Sequence, residues 1–233
     1  MKVSLSDLMG NGGSGKSSVI NLIKQCINNN DSADKPLMID FNPWMFSKRE
    51  DITRYFFDEI SSAFGYKNRS KEDKMTAAKF RNYAKLLGVL EYAPTPFVSL
   101  PSKCLKNIFK RYEKYDRKSE KVSIMDIKNE LSAHLIKTKK NIIVFIDDID
   151  RLTNEEIREI FRLVRVNADF GKMIYVIAFD KHIVEKSFKK QGKEYLEKII
   201  QVNVNVPFPS KERFSQFLYK ELERVIKTLP ASA

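Results

Sequence analysis

Gly10-Asn11-Gly12-Gly13-Ser14-Gly15-Lys16-Ser17 is the stretch on which the reading of this chain turns, and Ser18 follows it directly. It satisfies the pattern G-x-x-x-x-G-K-[ST] in full. Each part has a physical reason. Glycines let a loop wrap a phosphate chain with backbone N–H groups pointing inward, where side chains would obstruct. A helix opening near Lys16 adds its positive dipole end. Lys16 is placed to reach β- and γ-phosphates, and the Ser17 hydroxyl to ligate Mg²⁺. The bland alternative is an ordinary Gly-rich turn. Local context argues against it, because Val3 to Leu8 reads as a short strand and Ser17 to Ile27 as a helix, with apolar residues at Val19, Ile20, Ile23 and Ile27.

A second feature far downstream completes the pattern. Ile142-Ile143-Val144-Phe145-Ile146 is an uninterrupted apolar run suited to a central parallel strand, and Asp147-Asp148 follows it at once. A carboxylate at the C-terminal end of such a strand lies where open α/β sheets bind ligands. Asp147 is expected to hold magnesium, directly or through water. Asp148 is placed to orient or deprotonate an attacking water. The pair could instead cap the next helix. For Asp150 and Arg151, a salt bridge or a cap is at least as good a reading as catalysis.

Working outward, Pro36 to Phe41 reads as a buried strand stopped by Asn42-Pro43, and Asp51 to Phe64 as a helix with one apolar face. Trp44, alone after a strand, reads as core ahead of ligand contact. Val122 to Ile136 is helical, and Thr153 with Glu156 forms a capping box that opens another helix. On that helix Arg158, Arg162 and Arg165 read as a solvated face, with an arginine finger toward a neighbouring subunit as the sharper alternative. Met173 to Phe179 reads as a further buried strand, His182 to Lys189 as a helix, Ile199 to Val206 as a β-rich run, and Lys211 to Leu229 as an amphipathic helix. Strands alternating with helices predict an α/β fold: a three-layer αβα arrangement around a parallel sheet, carrying a mainly helical insertion. The expected division is a core of residues 1–64 and 121–210, a basic helical insertion over 65–120, and a C-terminal helix over 211–233.

Composition bounds the function. The chain has 233 residues and a formal net charge of +12. Between Lys67 and Lys140 stand 19 Lys and Arg against 8 Asp and Glu, so nearly the whole imbalance sits in one segment. Phe80, Tyr83, Phe109, Tyr112 and Tyr115 are interleaved with it. That mixture suits nucleic acid, through phosphate neutralisation and base stacking, or an anionic membrane surface. The plainer reading is a solvated helix pair with its aromatics packed inward. Cys26 and Cys104 stand far apart, and His134 and His182 lack ligand companions, so neither a disulfide framework nor an imidazole or thiolate metal site is expected. No run approaches the ~20 apolar residues of a membrane helix, and a cytoplasmic location is expected.

The run Asp147-Asp148-Ile149-Asp150-Arg151-Leu152 resembles the magnesium-binding (Walker B) signature of the KAP P-loop NTPases, themselves similar to the wider AAA+/STAND group. Gly13-Ser14-Gly15-Lys16-Ser17-Ser18, Phe41-Asn42-Pro43-Trp44, Ile177-Ala178-Phe179-Asp180 and Tyr195 to Ile200 agree in order. The resemblance implies a magnesium-binding strand next to a sensor strand, which places Asp180 as a phosphate sensor; capping the following helix is the alternative. In that family the region corresponding to 65–120 is a variable insertion, often bearing membrane helices. The family's bulky aromatic in the phosphate loop is replaced by Gly12. The helix over 211–233 reads as the start of a helical lid, which implies a fragment or truncated form.

The function implied is Mg²⁺-dependent ATP binding and hydrolysis. It would act as a nucleotide-driven switch in a regulatory or anti-phage defence complex, as a homo-oligomer or with effector subunits. Lys16 and Asp148 are the catalytic candidates. Gly10, Asn11, Gly12, Gly13, Ser14, Gly15, Lys16, Ser17 and Ser18 would hold the nucleotide, and Ser17 and Asp147 the metal. The alternative is a nucleotide-binding module with little turnover, whose basic segment 67–140 binds nucleic acid. A small-molecule kinase is a weaker third possibility, lacking an acceptor-site signature. ATP is favoured over GTP because no guanine-reading N/TKxD-like motif ends a late strand.

Overall fold

A computed structural model describes residues 2–7, 15–30, 34–46, 52–65, 70–91, 124–138, 140–206 and 211–228. Five strands form one parallel sheet in the order β2-β3-β4-β1-β5. They are β1 (Lys2–Asp7), β2 (Leu37–Phe41), β3 (Ile142–Ile146), β4 (Met173–Asp180) and β5 (Val202–Asn205). The helices are α1 (Lys16–Asn29), α2 (Ile52–Gly65), α3 (Lys71–Glu91), α4 (Ile124–Lys137), α5 (Asn154–Arg162), α6 (Lys181–Ser187), α7 (Gly192–Ile199) and α8 (Lys211–Thr228). The expected α/β architecture, two helical layers around a parallel sheet, is what these elements build.

Period-two alternation splits each central strand between two cores. Ile142, Val144 and Ile146 of β3 and Met173, Tyr175, Ile177 and Phe179 of β4 face the larger one, with α2, α3, α4 and α5. Phe145, Val176 and Ala178 face the other side, where Ile20 of α1 packs with Val19, Ile23 and Ile27 beside it. These strands are apolar on both faces because both faces are covered.

The larger core is built around aromatic rings. Phe56 meets Phe41 and Phe57 edge-on at centroid distances of 5.1 and 5.2 Å. Phe57 continues to Tyr83 at 5.2 Å, and Phe80 to Phe170 at 5.7 Å. Burying a large apolar side chain contributes about 1.5–3 kcal/mol, and edge-to-face geometry adds to that. Phe80 and Tyr83 are therefore core residues of the sheet domain, and stacking on bases is not open to them. Burial also pushes the Tyr83 hydroxyl well above its ordinary range. Phe109, Tyr112, Tyr115, Cys104 and the proline-rich break lie outside the described residues.

Two local expectations need correction, and one helix ends in a way that no local signal announces. The β-rich run Ile199 to Val206 is a strand only over Val202–Asn205, because Ile199 ends α7. The helix after Asp148 does not stop evenly: Leu163–Asn167 continues it as one wide turn of π type. Trp44 is not core, as its side chain is half exposed (48%) on a short 3₁₀ turn, Pro43–Phe46. No helix among the described residues is long and apolar enough to cross a membrane.

Candidate functional site

Parallel strands bring chemistry to the sheet's C-terminal edge. β3 lies between β2 and β4, in register Phe41↔Ile146 and Ile146↔Ile177, so Asn42, Asp147 and Asp148 leave the sheet side by side. β1 ends level with β4, Asp7 opposite Asp180. Residues 8–14 lie outside the described residues, and with them the loop candidates Gly10, Asn11, Gly12, Gly13 and Ser14. Gly15 has φ +88°, in the left-handed region that favours glycine. Its carbonyl accepts the first α1 hydrogen bond from Val19 N–H at 2.9 Å.

Lys16 is buried and opens α1; Ser17 and Ser18 follow it, exposed. The α1 N-terminus has no side-chain cap, and first-turn N–H groups lack partners within a helix. Ser17 Oγ donates to Asp147 Oδ2 at 2.6 Å, across 130 residues of sequence and past the end of β4. Packing explains the approach, since α1 lies against Phe145, Val176 and Ala178 on the strands that carry Asp147 and Asp180. Two hard oxygen donors at that separation suit Mg²⁺, which is commonly held by one or two protein groups with substrate phosphates and water completing the octahedron. Among the described residues no three His, Cys, Asp or Glu side chains gather around a metal position. The fit is thus to a metal that arrives with a phosphate-bearing ligand.

Asp148 sits at φ 59°, ψ 27°, a left-handed conformation that Asp and Asn tolerate better than other residues with side chains. That turn brings its N–H to Asp147 Oδ1 at 2.8 Å. Its own carboxylate is held from two sides: Asn42 Nδ2 donates to Oδ2 at 2.6 Å, and Arg151 Nε meets Oδ1 at 2.9 Å. Asp180 is buried, and its Oδ1 accepts the His182 and Ile183 N–H groups at 2.8 and 3.1 Å, so of the two readings offered for it the cap is the one observed. The capping box of α5 forms as expected, with Thr153 and Glu156 exchanging bonds.

Arg158 donates to the Ser187 carbonyl at 2.6 Å and pairs with Glu155, while the Arg165 guanidinium lies over Tyr195 at 5.6 Å. Both make contacts within the chain, while Arg162 and Arg165 stay exposed, as the solvated-face reading expects. The salt bridge offered for Arg151 is the one formed with Asp148, whereas Asn42 is a partner of Asp148 that sequence reasoning left without that role. A signal for Asn42 existed, since an amide one residue past a parallel strand stands at the ligand edge of the sheet.

The sequence profile of the KAP family P-loop domain matches residues 7–233. The chain belongs to that family. Among curated proteins, the Phage T7 exclusion protein of Escherichia coli (strain K12) is 32% identical over 88 residues, 36% of this chain. The matched segment spans only 12% of that protein. Two solved structures are similar in outline. The Aeropyrum pernix ORC2 protein in ADPNP–ADP complexes has TM-score 0.45 and 10% identity, over 96% of this chain and 46% of that one. A Walker-type ATPase of Pyrococcus abyssi has TM-score 0.44 and 15% identity, over 98% of this chain and 55% of that one. The KAP domain described here therefore spans about half the length of each of these structures and about an eighth of the curated relative.

Proposed function

We propose that this KAP domain binds ATP with Mg²⁺ and hydrolyses it, serving as a nucleotide-driven switch in a regulatory or anti-phage complex. The observation that carries the reading is the 2.6 Å approach of Ser17 Oγ to Asp147 Oδ2, because it joins the end of the phosphate loop to the carboxylate after β3. Bound there, Mg²⁺ would neutralise charge developing on the β- and γ-phosphates. Lys16 and the first N–H groups of α1 would hold the phosphate chain. Asp148, one residue beyond the metal-holding carboxylate, would orient water and accept its proton. The partial likeness to a phage exclusion protein supports the defence setting. Adenine preference, assembly with itself or an effector, and a cytoplasmic location belong to the same proposal.

The test is ATP and GTP turnover with Mg²⁺ over a protein concentration series, for the native chain, Lys16→Ala and Asp148→Asn, with binding measured in parallel. Asn keeps the tolerance for the left-handed backbone that Asp148 requires, so the fold should survive. The expected result is ATP turnover that rises with concentration. It should drop about 10²–10⁴-fold in Asp148→Asn with binding retained, and binding itself should be lost in Lys16→Ala. Tight binding with no turnover at any concentration would replace the ATPase reading with that of a binding module.

A further inference from the structure

The second carboxylate is enclosed in a closed ring of four residues. The Trp44 backbone N–H donates to Asn42 Oδ1 at 3.1 Å, and Asn42 Nδ2 donates to Asp148 Oδ2 at 2.6 Å. Arg151 Nε meets Asp148 Oδ1 at 2.9 Å. The Arg151 guanidinium carbon then lies 5.3 Å from the centre of the Trp44 ring, which closes the circuit. The ring joins the end of β2 to the turn after β3. Its inner half is shielded and its outer half open: the Asp148 side chain is 23% exposed and that of Arg151 54%.

We propose that Arg151 and Trp44 form a latch on Asp148, closed in the nucleotide-free chain and released when a triphosphate binds. The proposal rests on the nucleotide-binding reading above and adds its regulation. With Oδ1 facing the Arg151 guanidinium and Oδ2 taken by Asn42, both Asp148 carboxylate oxygens are engaged within the chain and turned away from an incoming water. Arginine's planar fork suits phosphate oxygens as well as carboxylate oxygens. A polyphosphate reaching Ser17 and Asp147 stands next to Asp148, since Asp147 already binds the Asp148 N–H. The arriving negative charge competes for Arg151, and an exposed ion pair holds it only weakly. Asn42 is the fixed half of the clamp, tied to the Trp44 backbone. Arg151 is the moving half, a positioning residue, and its departure uncovers the Trp44 ring at the surface.

Trp44 is the chain's single tryptophan, so tryptophan emission is read from this ring alone, and the Arg151 variant separates the latch from direct sensing of the ligand. The whole chain is titrated with adenylyl imidodiphosphate and Mg²⁺ while tryptophan emission and acrylamide quenching are recorded, and calorimetry measures binding in parallel. A saturable emission change is expected at the calorimetric midpoint, with quenching increased. In Arg151→Met, binding persists, the emission change is lost, and the nucleotide-free spectrum already resembles that of the bound native chain. Calorimetric binding with silent Trp44 emission, or an unchanged response in Arg151→Met, overturns the latch and leaves the nucleotide-binding reading standing. Absence of any binding heat overturns both.

Discussion

Gly192 shows how tightly one residue can be specified far from any chemistry. It opens α7 with an ordinary helical backbone, so its role is spatial and not one of conformational freedom. A Cβ placed on it would stand 2.1 Å from the Glu185 carbonyl oxygen and 2.7 Å from the carbonyl carbon. Those atoms belong to the backbone of α6 and cannot swing aside as a side-chain tip can. Gly192→Ala should therefore push α7 off α6 and cost about 1–3 kcal/mol, the usual penalty for overpacking. Urea unfolding of the two proteins side by side measures it; an unchanged midpoint would mean that the helices separate freely. Gly15 makes the contrasting case. Nothing lies within 4 Å of a Cβ built there, so its requirement comes from φ +88° alone.

At the scale of elements, the contact between α3 and α4 is a polar zipper laid over an aromatic core. Thr76 Oγ1 lies 2.8 Å from His134 Nε2, and Lys79 pairs with Glu130. Lys140, just past α4, reaches Asp73 at 2.5 Å. Burial holds His134 below its ordinary value of about 6.5, and the Lys79 charge pushes the same way against Glu72 and Glu130. The unfolded chain then takes up this proton at a higher pH than the folded one. The stabilisation is complete above pH ~6.5 and is lost as pH falls through the folded value. Asp73 repeats the sign lower down: burial opposes its ionisation, but the bonds from Lys140 and Ser70 outweigh that and leave it below 3.8. The urea midpoint should thus fall between pH 7 and pH 5, and His134→Gln should flatten that slope; an unaltered slope would assign the effect elsewhere. Much of this layer was legible in the chain, because apolar spacing and the Thr153 box are local signals. The Asp pair was legible for a related reason: a carboxylate just past a buried strand has one edge of the sheet to occupy. Long-range pairings were not legible. Nothing near Arg151 announces Trp44, Arg158 gives no sign of Ser187, and the amphipathic α7 was hidden under a β-rich tail.

Taken whole, the molecule is lopsided. One face of the sheet carries α2, α3, α4 and α5 in the larger core, while α1 supplies the helical cover described on the other. α8 stands apart from both cores, since none of its described side chains is buried. Phe214, Phe217, Leu218, Leu222 and Ile226 lie exposed along it. Hydrophobic stabilisation scales with the apolar area removed from water, so a helix that buries none against the sheet domain adds nothing to that domain's folding. Deleting residues 211–228 should then move the thermal midpoint by less than about 2 °C, below the shift expected for 1 kcal/mol in a chain of this size. Circular dichroism would check both parts of the expectation, since helical signal must fall by the share that α8 contributes while the transition stays in place. A midpoint lowered by several degrees would show instead that the apolar stripe of α8 folds back onto the sheet domain in solution, and that its aromatic residues belong to the core.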